Sequence, residues 1–569
     1  MRYLLDHFEM KSCDDAASSR MGIPAEVLME RAALAVADVA KSRFSPSRVL
    51  VLCGSGNNGG DGFAAARLLL LDGVKADALF IGKHDRMTEA CRLESDIFRN
   101  YGGTILEDEA DLHSYDLIID ALFGIGLSRD VLGRYADIIN AVNACGVPVL
   151  AVDIPSGVSA DSGQILQTAI HASATVTFAF EKLGHVLYPG ASCCGEVICR
   201  NVGITEIGIP DDPAYTLDAS DLSYLLPKRY PEANKGSCGK LLLIAGDEGM
   251  AGAAVMAAKS AYRSGCGMVC VCTHEANRII VQSSVPEALF ASWTDCVPGL
   301  RTASRCSCAN AAEAVPESGN PISSKAKTAQ TGNLEKWLSW ADAVAVGPGL
   351  GTSEESLSIL SEVLHIWNGP LIADADALNL VSGSAAQDNL CRLLDSRFTP
   401  AVLTPHPGEM LRLLKHDMNV IQAEDDTASE QICQEEGSSP EEASAPRHIR
   451  AEALRMDDIL ADPLHIAQAY ATLHGVVTVL KGARTVVTDR TETMVNTCGN
   501  DGMATAGSGD CLSGIIGALL AQGMAPFDAA QAGVLIHALA GDAAAKDLGR
   551  RSMTAMDIAE HIQNVLKGQ

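Results

Sequence analysis

The sequence predicts two α/β domains, each organised around a parallel β-sheet. At 569 residues the chain is too long for a single hydrophobic core. In both halves, short apolar runs lead into glycine-rich or acidic turns and then into helical patterns. This layout is typical of strands that are buried on both faces of a parallel sheet. Turn-forming residues concentrate over 201–219 and predict an interdomain linker there.

The composition favours a globular protein and limits its partners. Hydrophobic residues make up 47% of the chain and charged residues 20%, which is enough apolar mass for a core. The formal net charge of −28 disfavours nucleic acids and anionic membranes as partners, but backbone dipoles can still hold small anions. The start has no signal-peptide layout, and no apolar run reaches transmembrane length. The 18 cysteines include no C-x-x-C pair, so we expect a soluble cytoplasmic protein with reduced, mostly buried thiols.

The first half alternates between strand and helix patterns. Helices are expected at 29–37, 63–71, 89–99 and 134–144, and strands at 49–53, 76–82, 117–120 and 147–153. This alternation indicates a doubly wound, Rossmann-like parallel sheet.

A polar turn, GSGNNGGDG at 54–62, follows the first of these strands. A strand, a glycine-rich turn and a helix place phosphates or a nucleotide at the carboxyl end of a parallel sheet, although this turn is neither G-x-G-x-x-G nor a P-loop. The amide carbonyls of Asn57 and Asn58 can also coordinate a monovalent cation or orient a ligand amide. A ligand-free Asx-turn is the alternative. Asp120 and Asp153 end two further strands and are expected at the same edge.

The second half repeats the pattern with different turns. Strands are expected at 240–246, 268–272, 344–346, 371–374, 401–403, 476–480 and 486–489, and a helix of small residues at 251–265. Four of the strands lead into GPGLG (347–351), DADALN (374–379), TPHPGEM (404–410) and KGART (481–485). Since parallel strands end at one edge, a nucleotide and a phosphorylated substrate are expected to share that edge.

The stretch 499–514 contains Gly507-Ser508-Gly509 and then Asp510, before an apolar helical run. Backbone N–H groups at such a helix start bind phosphate. A carboxylate beside that phosphate is placed to accept a proton from an attacking hydroxyl or to hold a metal. The alternative is a flexible helix start in which Asp510 only complements the helix dipole.

Each of the other polar turn residues also has a structural alternative. His406 fits a turn residue bonded to backbone, Asp374 and Asp376 fit helix caps, and Lys481 fits a solvated strand end. A shared ligand site explains all of them together.

Residues 1–215 resemble the NAD(P)H-hydrate epimerase domain through LMERAA, GSGNNGGDG, DALFGIG and DIPSG. The resemblance implies a potassium site at Asn58, Asp120 and Ser156, with Asp153 as the acid/base. It implies substrate contacts at Asn57, Asn58, Gly59, Gly60, Asp61, Gly124, Ile125, Gly126, Leu127, Ser128, Arg129, Asp130 and Asp153. Epimerisation of a hydrated nicotinamide requires a positioned proton carrier, which agrees with these residue types.

Residues 220–569 resemble the NAD(P)H-hydrate dehydratase domain, which has a ribokinase-like fold, through GPGLG, DADALN, TPHPGEM, KGART and TAGSGD. The resemblance implies that the adenine nucleotide contacts Lys481, Gly482, Ala483, Arg484, Thr485 and Gly509. It implies that the hydrate contacts Ala253, Gly347, Gly349, His406 and Asp510. In the implied reaction, ADP with Mg²⁺ phosphorylates the ring hydroxyl with Asp510 as base, and phosphate then leaves.

The resulting hypothesis is a bifunctional repair enzyme, with an epimerase domain at 1–218 and a dehydratase domain at 219–569. Its substrates would be NADHX, NADPHX and ADP, and we expect a homo-oligomer. Stretches at about 294–333 and 420–457 depart from the family and are expected to be surface insertions. The alternatives are a vitamin or sugar kinase, and a first domain that binds a ligand without catalysis.

Overall fold

A computed structural model describes residues 1–296, 333–383, 388–417 and 454–568. The two insertions expected at about 294–333 and 420–457 lie almost entirely outside these residues. The chain divides into two compact units, Met1–Thr216 and Leu217–Gln569.

The first unit is built on a parallel sheet. The unit contains the strands β1 (Arg2–Leu5), β2 (Arg48–Cys53), β3 (Lys75–Phe80), β4 (Thr104–Leu106), β5 (Leu117–Ala121), β6 (Val149–Val152), β7 (Ala174–Phe178), β8 (Glu181–Lys182), β9 (Glu196–Arg200) and β10 (Ala214–Thr216), seven of which form this sheet. Within residues 1–216, all of which are described, the sheet runs β4-β3-β2-β5-β6-β7-β9 with every neighbouring pair parallel. The chain order reverses between β2 and β5, as in doubly wound nucleotide-binding folds.

Both faces of this sheet are buried. Val49 and Val51 of β2 belong to one apolar cluster, whereas Leu50 and Leu52 belong to another. The alternation follows from the two-residue period of a strand. Helices follow most of the strands: α1 (His7–Ser19), α2 (Ala25–Val39), α3 (Asn57–Leu71), α4 (Glu89–Asn100), α5 (Arg134–Cys145) and the short α6 (Leu183–Val186).

The predicted linker over 201–219 is partly wrong. Residues Ala214–Thr216 form strand β10, which pairs antiparallel with β1, while β1 also pairs parallel with β8. Tyr215 lies opposite Tyr3 in this register. The glycines and prolines before β10 indicate turns. The sequence pattern did not indicate the short strand, because its pairing partner lies about 200 residues away in the sequence.

The second unit also contains a mainly parallel sheet. Its described strands are β11 (Lys240–Ile244), β12 (Met268–Thr273), β13 (Leu289–Ser292), β14 (Ala343–Val346), β15 (Leu371–Ala373), β16 (Val402–Leu403), β17 (Val477–Leu480), β18 (Val486–Thr488) and β19 (Thr493–Val495). They run β13-β12-β11-β14-β15-β16-β17-β18-β19. The sheet is parallel as far as β17, but β18 and β19 are antiparallel, so the prediction of a parallel strand at 486–489 is wrong. The five residues 481–485 are too few for a parallel crossover and make a hairpin instead.

The helices of the second unit cover this sheet. They are α7 (Leu222–Leu225), α8 (Ala251–Arg263), α9 (Arg278–Ser284), α10 (Trp293–Cys296), α11 (Asn333–Trp340), α12 (Glu354–Ile366), α13 (Asp376–Val381), α14 (Asp388–Asp395), α15 (407–417 as described), α16 (Met456–Ala461), α17 (Pro463–His474), α18 (Ser508–Ala521), α19 (Pro526–Leu548) and α20 (Ala555–Leu566). Helices α8 and α18 approach closely, since a Cβ on Gly514 would lie 2.1 Å from Ala257 O.

Among the described residues, no helix has both the length and the apolar character needed to cross a bilayer. Among the described residues the cysteines form no disulfide, and most of their side chains are buried.

Candidate active sites

The first candidate site lies where the strand order of the first unit reverses, between β2 and β5. The turn after β2 passes close to the chain that leaves β5: Gly54 N donates to Ala121 O at 3.0 Å, and a Cβ on Gly54 would lie 2.0 Å from Leu122 O. Only glycine fits this approach. This close approach of the two chain segments lies at the crevice in which ligands bind in folds of this type.

The polar turn after β2 is shorter than predicted. Helix α3 begins at Asn57 instead of Phe63, so Asn57–Asp61 form its first turn. Its N-cap, Gly56, has no side chain to accept the first backbone N–H groups. These donors and the helix dipole therefore remain available to an anion at the carboxyl edge of the sheet.

Asp120 is fully buried at the end of β5 and has no cationic partner among the described residues. Its carboxylate accepts hydrogen bonds from Ser156 N at 2.8 Å and from Ser156 Oγ at 2.7 Å. Burial raises the pKa of Asp120 to about 6, although these hydrogen bonds oppose the rise. Asn58 lies nearby in a buried position, and its Nδ2 has no hydrogen-bond partner. Asn58 and the loop after β5 are adjacent, because a Cβ on Gly124 would lie 3.4 Å from Asn58 Oδ1.

The rest of the loop predicted to contact substrate, 125–130, is mostly exposed. Gly126, Ser128, Arg129 and Asp130 are open to solvent, whereas Ile125 and Leu127 are half-buried. A Cβ on Gly126 would meet no atom within 4 Å. This loop has room to contact a ligand without rearrangement of the sheet.

Asp153 follows β6 and is paired with a lysine that sequence reasoning missed. Lys182 Nζ lies 2.6 Å from Asp153 Oδ1, and Thr177 Oγ1 donates to the same oxygen at 3.1 Å. The Lys182 side chain is 1% exposed. Nothing in the spacing of residues 153 and 182 indicates this contact, because it depends on how β7 and β8 return to the end of β6.

The backbone at Asp153 is strained, with φ of 67° in the left-handed region. His185 holds it in place: Lys182 N donates to His185 Nδ1 at 2.9 Å, so Nε2 carries the proton and donates to Asp153 O at 2.8 Å. Burial and the nearby Lys182 charge lower the pKa of His185 to about 4. His185 is therefore a neutral positioning residue.

Burial and the charge of Asp153 raise the pKa of two other carboxyl groups, those of Asp14 and Asp61. Burial, with the charge of Asp153 contributing, raises the pKa of Asp14 in α1 to about 6. Burial, with the charges of Asp153 and Asp14 adding, raises the pKa of Asp61 well above its ordinary value. Asp14 was not predicted as a site residue, because a single acid in a helical pattern carries no signal of its surroundings.

The second candidate site lies at the corresponding reversal of the second sheet, between β11 and β14. The turn at Gly347–Gly351 contacts the turn after β11 through Gly246 N to Pro348 O at 2.9 Å and Asp247 N to Gly349 O at 2.6 Å. Gly347 and Gly349 have φ of 125° and 57°. A Cβ on Gly349 would lie 2.9 Å from Ala253 Cβ, so the predicted hydrate contacts Ala253, Gly347 and Gly349 are close together.

A buried asparagine holds this crossing. Asn277, 2% exposed, donates from Nδ2 to Gly246 O at 2.9 Å and to Asp247 O at 3.0 Å. The Thr273 hydroxyl also donates to Gly246 O, at 2.6 Å. Neither Asn277 nor Thr273 was predicted, since both act through backbone groups of another turn.

Asp374 is the centre of a buried polar network at the end of β15. Its Oδ1 lies 2.6 Å from Lys481 Nζ, and its Oδ2 accepts from Ser513 Oγ at 2.5 Å. Glu409 Oε2, 5% exposed, lies 3.8 Å from the same Lys481 Nζ. Burial opposes the charge of Lys481, but Asp374 and Glu409 outweigh this effect and raise its pKa. The structure thus excludes a solvated strand end for Lys481.

Asp510 lies in the first turn of α18, next to this network. Burial raises its pKa to about 7, the Asp374 charge adds to the rise, and Lys481 opposes it. A Cβ on Gly509 would lie 3.4 Å from Lys481 Nζ and 3.7 Å from Asp374 Oδ2. The N-cap of α18 is Gly507, which has φ of 91° and provides no side-chain cap. The helix start therefore presents free N–H groups beside a lysine and a carboxyl that titrates near neutrality.

His406 has a structural role that is compatible with ligand contact. Its Nδ1 accepts from Gly408 N at 3.0 Å at the start of α15, while Glu409 Oε2 accepts from His406 N at 2.8 Å. The side chain is half-exposed. Burial and the charges of Lys481 and Arg412 lower its pKa. Because Nδ1 is an acceptor, Nε2 of neutral His406 carries the proton, and it lies 3.4 Å from Glu409 Oε1.

The remaining predicted nucleotide contacts form the hairpin between β17 and β18. Gly482 and Ala483 are exposed, while Gly482 N donates to Thr485 Oγ1 at 3.4 Å. Arg484 Nη1 donates to Thr497 O at 3.1 Å. The hairpin directly follows Lys481, whose Nζ lies 2.6 Å from Asp374 Oδ1. Asp376 does not cap α13 with its side chain; its Oδ2 accepts from Gly351 N at 2.8 Å instead.

Comparisons with known proteins agree with this division. Residues 25–184 match the family described as YjeF-related protein N-terminus. Residues 241–438 and 448–564 match the family described as NAD(P)H-hydrate dehydratase. The predicted fold class of two α/β domains, the first with a Rossmann-like doubly wound sheet, is confirmed, and a ribokinase-like fold for the second stays a prediction.

Curated relatives match along almost the whole chain. A bifunctional NAD(P)H-hydrate repair enzyme from Moorella thermoacetica is 33% identical and covers 99% of this chain and 97% of its own length. The enzyme of that name from Escherichia coli is 32% identical over 97% of this chain and 91% of its own. A solved Bacillus subtilis ADP/ATP-dependent NAD(P)H-hydrate dehydratase, co-crystallised with ATP and Mg²⁺, is 22% identical and covers 62% of this chain and 98% of its own, with a TM-score of 0.44.

The alternative of an unrelated vitamin or sugar kinase is not favoured, because the relatives match both halves under one name. The first half also matches a family of its own. With two family matches in the expected order and relatives of full length, this chain belongs to the family of bifunctional NAD(P)H-hydrate repair enzymes.

Proposed function

We propose that this chain interconverts the R and S hydrates of NADH and NADPH within residues 1–218. We further propose that residues 219–569 dehydrate the S form, with ADP converted to AMP and phosphate. One observation carries the second activity: Asp510, with a pKa of about 7, lies at an uncapped helix start beside Gly509 and the Lys481–Asp374 pair. That arrangement suits the transfer of a phosphoryl group to a hydroxyl.

In the epimerase site, the start of α3 holds the substrate pyrophosphate with the backbone N–H groups of Asn57, Asn58 and Gly59. Asp153 moves the proton at the reacting ring carbon or its hydroxyl. Lys182 keeps the Asp153 carboxylate oriented through its 2.6 Å contact. His185 holds the strained backbone of Asp153 through its hydrogen bond to Asp153 O.

The residues at the end of β5 fit a potassium ion. A buried carboxylate without a cationic partner among the described residues, a serine hydroxyl and the amide oxygen of a buried asparagine are hard oxygen donors that a monovalent cation takes. Asp120, Ser156 and Asn58 would hold it. When bound, it would neutralise Asp120 and orient the Gly124 loop towards the substrate. Removal of potassium should slow epimerisation alone.

In the dehydratase site, Asp510 takes the proton from the ring hydroxyl as that oxygen attacks the β-phosphorus of ADP, and AMP leaves. The N–H groups at the start of α18 and the Lys481 ammonium stabilise the charge on the transferring group. The phosphate then leaves the ring carbon with its bonding electrons, and the adjacent ring carbon loses a proton to solvent, so that the carbon–carbon double bond of the dihydronicotinamide is restored. Phosphate leaves far more readily than hydroxide, and this explains the use of a nucleotide.

The nucleotide is held by Lys481–Thr485 and Gly509, and the hydrate by Ala253, Gly347, Gly349 and His406. The carboxylates of Asp374, Glu409 and Asp510 are the ligand type that Mg²⁺ takes together with phosphate oxygens. We propose ADP as the donor in preference to ATP. A homo-oligomeric state and a cytoplasmic location stay predictions from the sequence.

The test supplies a mixture of R and S hydrates with ADP or with ATP and follows the absorbance of dihydronicotinamide. We expect complete recovery with ADP, in a fast phase for the S hydrate and a slower phase for the R hydrate. If neither nucleotide restores the absorbance, the proposed function is wrong. Recovery of the S fraction alone would refute epimerisation.

A further inference from the structure

Two helices of the second unit bring three metal-ligand side chains together away from the proposed active site. Helix α14 contributes Cys391, and the described end of α15 contributes His416 and Asp417. One ligand atom from each of these residues lies within 4.8 Å of the other two. We call these three residues the Cys391 cluster.

The distances within the Cys391 cluster suit one small cation. Cys391 Sγ lies 3.9 Å from His416 Nδ1, and His416 Nδ1 lies 3.5 Å from Asp417 Oδ1. In tetrahedral zinc sites, bond lengths of about 2.0–2.3 Å place neighbouring ligand atoms about 3.3–3.8 Å apart. These two distances are close to that range, and the Cys391–Asp417 pair, within 4.8 Å, needs a shift of at most about 1 Å to complete a coordination shell.

A second layer supports Asp417. His474, at the end of α17, lies with Nε2 3.0 Å from Asp417 Oδ2 and with Nδ1 3.0 Å from Asp395 Oδ1. Since carboxylates only accept, His474 donates to both. The other oxygen, Asp417 Oδ1, is the one that lies 3.5 Å from His416 Nδ1. Ligating carboxylates in metal sites are commonly held by such a hydrogen bond on the other oxygen.

The ligand types select the class of metal. A thiolate, an imidazole and a carboxylate together suit zinc and similar divalent transition metals, whereas Mg²⁺ and K⁺ take oxygen ligands alone. His416 and Asp417 have side chains only 10% and 11% exposed, so a bound ion would be partly shielded from solvent. Three protein ligands leave a fourth position for water.

We propose that Cys391, His416 and Asp417 form a binding site for one divalent transition-metal ion of the zinc type. This site is separate from the proposed catalysis: Glu409, which contacts Lys481, lies eight residues before Asp417 in the same helix, roughly 12 Å along its axis. The ion would tie the end of α15 to α14, and through Asp417 and His474 to α17. Helix α17 leads into β17 and hence to Lys481, so the ion stabilises the elements behind the nucleotide site.

The test titrates the full chain with Co²⁺ after treatment with a chelator, in the absence of nucleotide and hydrate. We expect one equivalent to bind, with a thiolate-to-cobalt charge-transfer absorption that Zn²⁺ abolishes by displacement. Zn²⁺ should raise the thermal unfolding midpoint of the second unit by about 2–4 °C. Because no substrate is present, failure here leaves the proposed function untouched.

Variants separate this site from adventitious binding to other thiols. Cys391→Ser should remove the charge-transfer absorption, while His416→Gln and Asp417→Asn should weaken binding at least tenfold. Cys238→Ser is the matched control, since Cys238 is another half-buried thiol of the same unit, and it should bind like the unmodified chain. The proposal is overturned if the absorption is absent, if it persists in Cys391→Ser, or if His416→Gln and Asp417→Asn both bind normally.

Discussion

Lys481 Nζ lies 2.6 Å from Asp374 Oδ1, although the two residues are 107 positions apart in the sequence. The Asp374 side chain is 2% exposed and that of Lys481 is 19% exposed. The residues that follow strands β15 and β17 are therefore joined by a buried charge pair, and Gly509 lies beside this pair.

The first prediction concerns this pair. Asp374→Asn should lower the free energy of unfolding of the second unit by about 3 kcal/mol, because the buried Lys481 charge then loses its 2.6 Å partner and keeps only the weaker interactions with Glu409, at 3.8 Å, and Asp510. Glu275→Gln is the control: its pair with Arg278 is largely exposed and should be worth less than about 1 kcal/mol. Denaturant unfolding measures both, and equal losses would contradict the buried-pair account.

The second prediction assigns the base. Asp510→Asn should abolish dehydration while the interconversion of R and S hydrates continues, because the amide cannot accept the proton of the ring hydroxyl. In the unmodified chain, the dehydration rate should rise with pH as Asp510 ionises around its pKa of about 7 and should level off above it. Stopped reactions that separate the two hydrates measure both activities. Loss of both activities in Asp510→Asn would argue against independent sites.

The same carboxyl should reduce stability at neutral pH. Because the pKa of Asp510 rises from 3.8 to about 7 on folding, the folded state binds its proton more tightly, and stability falls as pH rises from about 4 to 7. Asp510→Asn removes this loss. We expect it to raise the free energy of unfolding by about 2 kcal/mol at pH 8, allowing for partial solvent access, and by almost nothing at pH 4. An equal effect at the two pH values would be the contrary result.

The fourth prediction tests Lys182. Lys182→Met keeps the length of the buried side chain but removes the charge next to Asp153. We expect epimerisation to fall at least tenfold, while dehydration of pure S hydrate is unchanged. Lys75→Met, at an exposed position of β3, is the control and should leave both rates unchanged. Normal epimerisation by Lys182→Met would mean that Asp153 needs no positioning.

The fifth prediction concerns the crossing of β2 and β5. Gly54→Ala should disrupt the first unit, because its Cβ would lie 2.0 Å from Leu122 O; we expect a loss of about 3 kcal/mol or more. Gly56→Ala, where a Cβ meets no atom within 4 Å, should cost less than about 1 kcal/mol. Thermal unfolding of the two variants should therefore differ clearly. Similar midpoints would show that the crossing tolerates a shift.

The sequence by itself determined the fold class and the strands that carry the sites. Continuous apolar runs such as 49–53 and 241–245 have the length of strands buried on both faces, and the turns that follow lie at the carboxyl edge of a parallel sheet. Local chemistry of this kind extends over a few residues, so it can be read from one stretch at a time. The positions of Asp120, Asp153 and Asp510 at strand ends and at a helix start follow from it.

Only the tertiary structure decided which side chains meet. Lys182 reaches Asp153, Ser513 reaches Asp374, and Asn277 holds the turn at Gly246, and none of these contacts has a signature in sequence spacing. The same is true of strand β10, whose partner is β1. Which charged groups and which strands become partners depends on the three-dimensional course of the chain. A pKa near 7 at Asp510 likewise depends on burial and on Asp374, which are properties of the folded site and not of the residue.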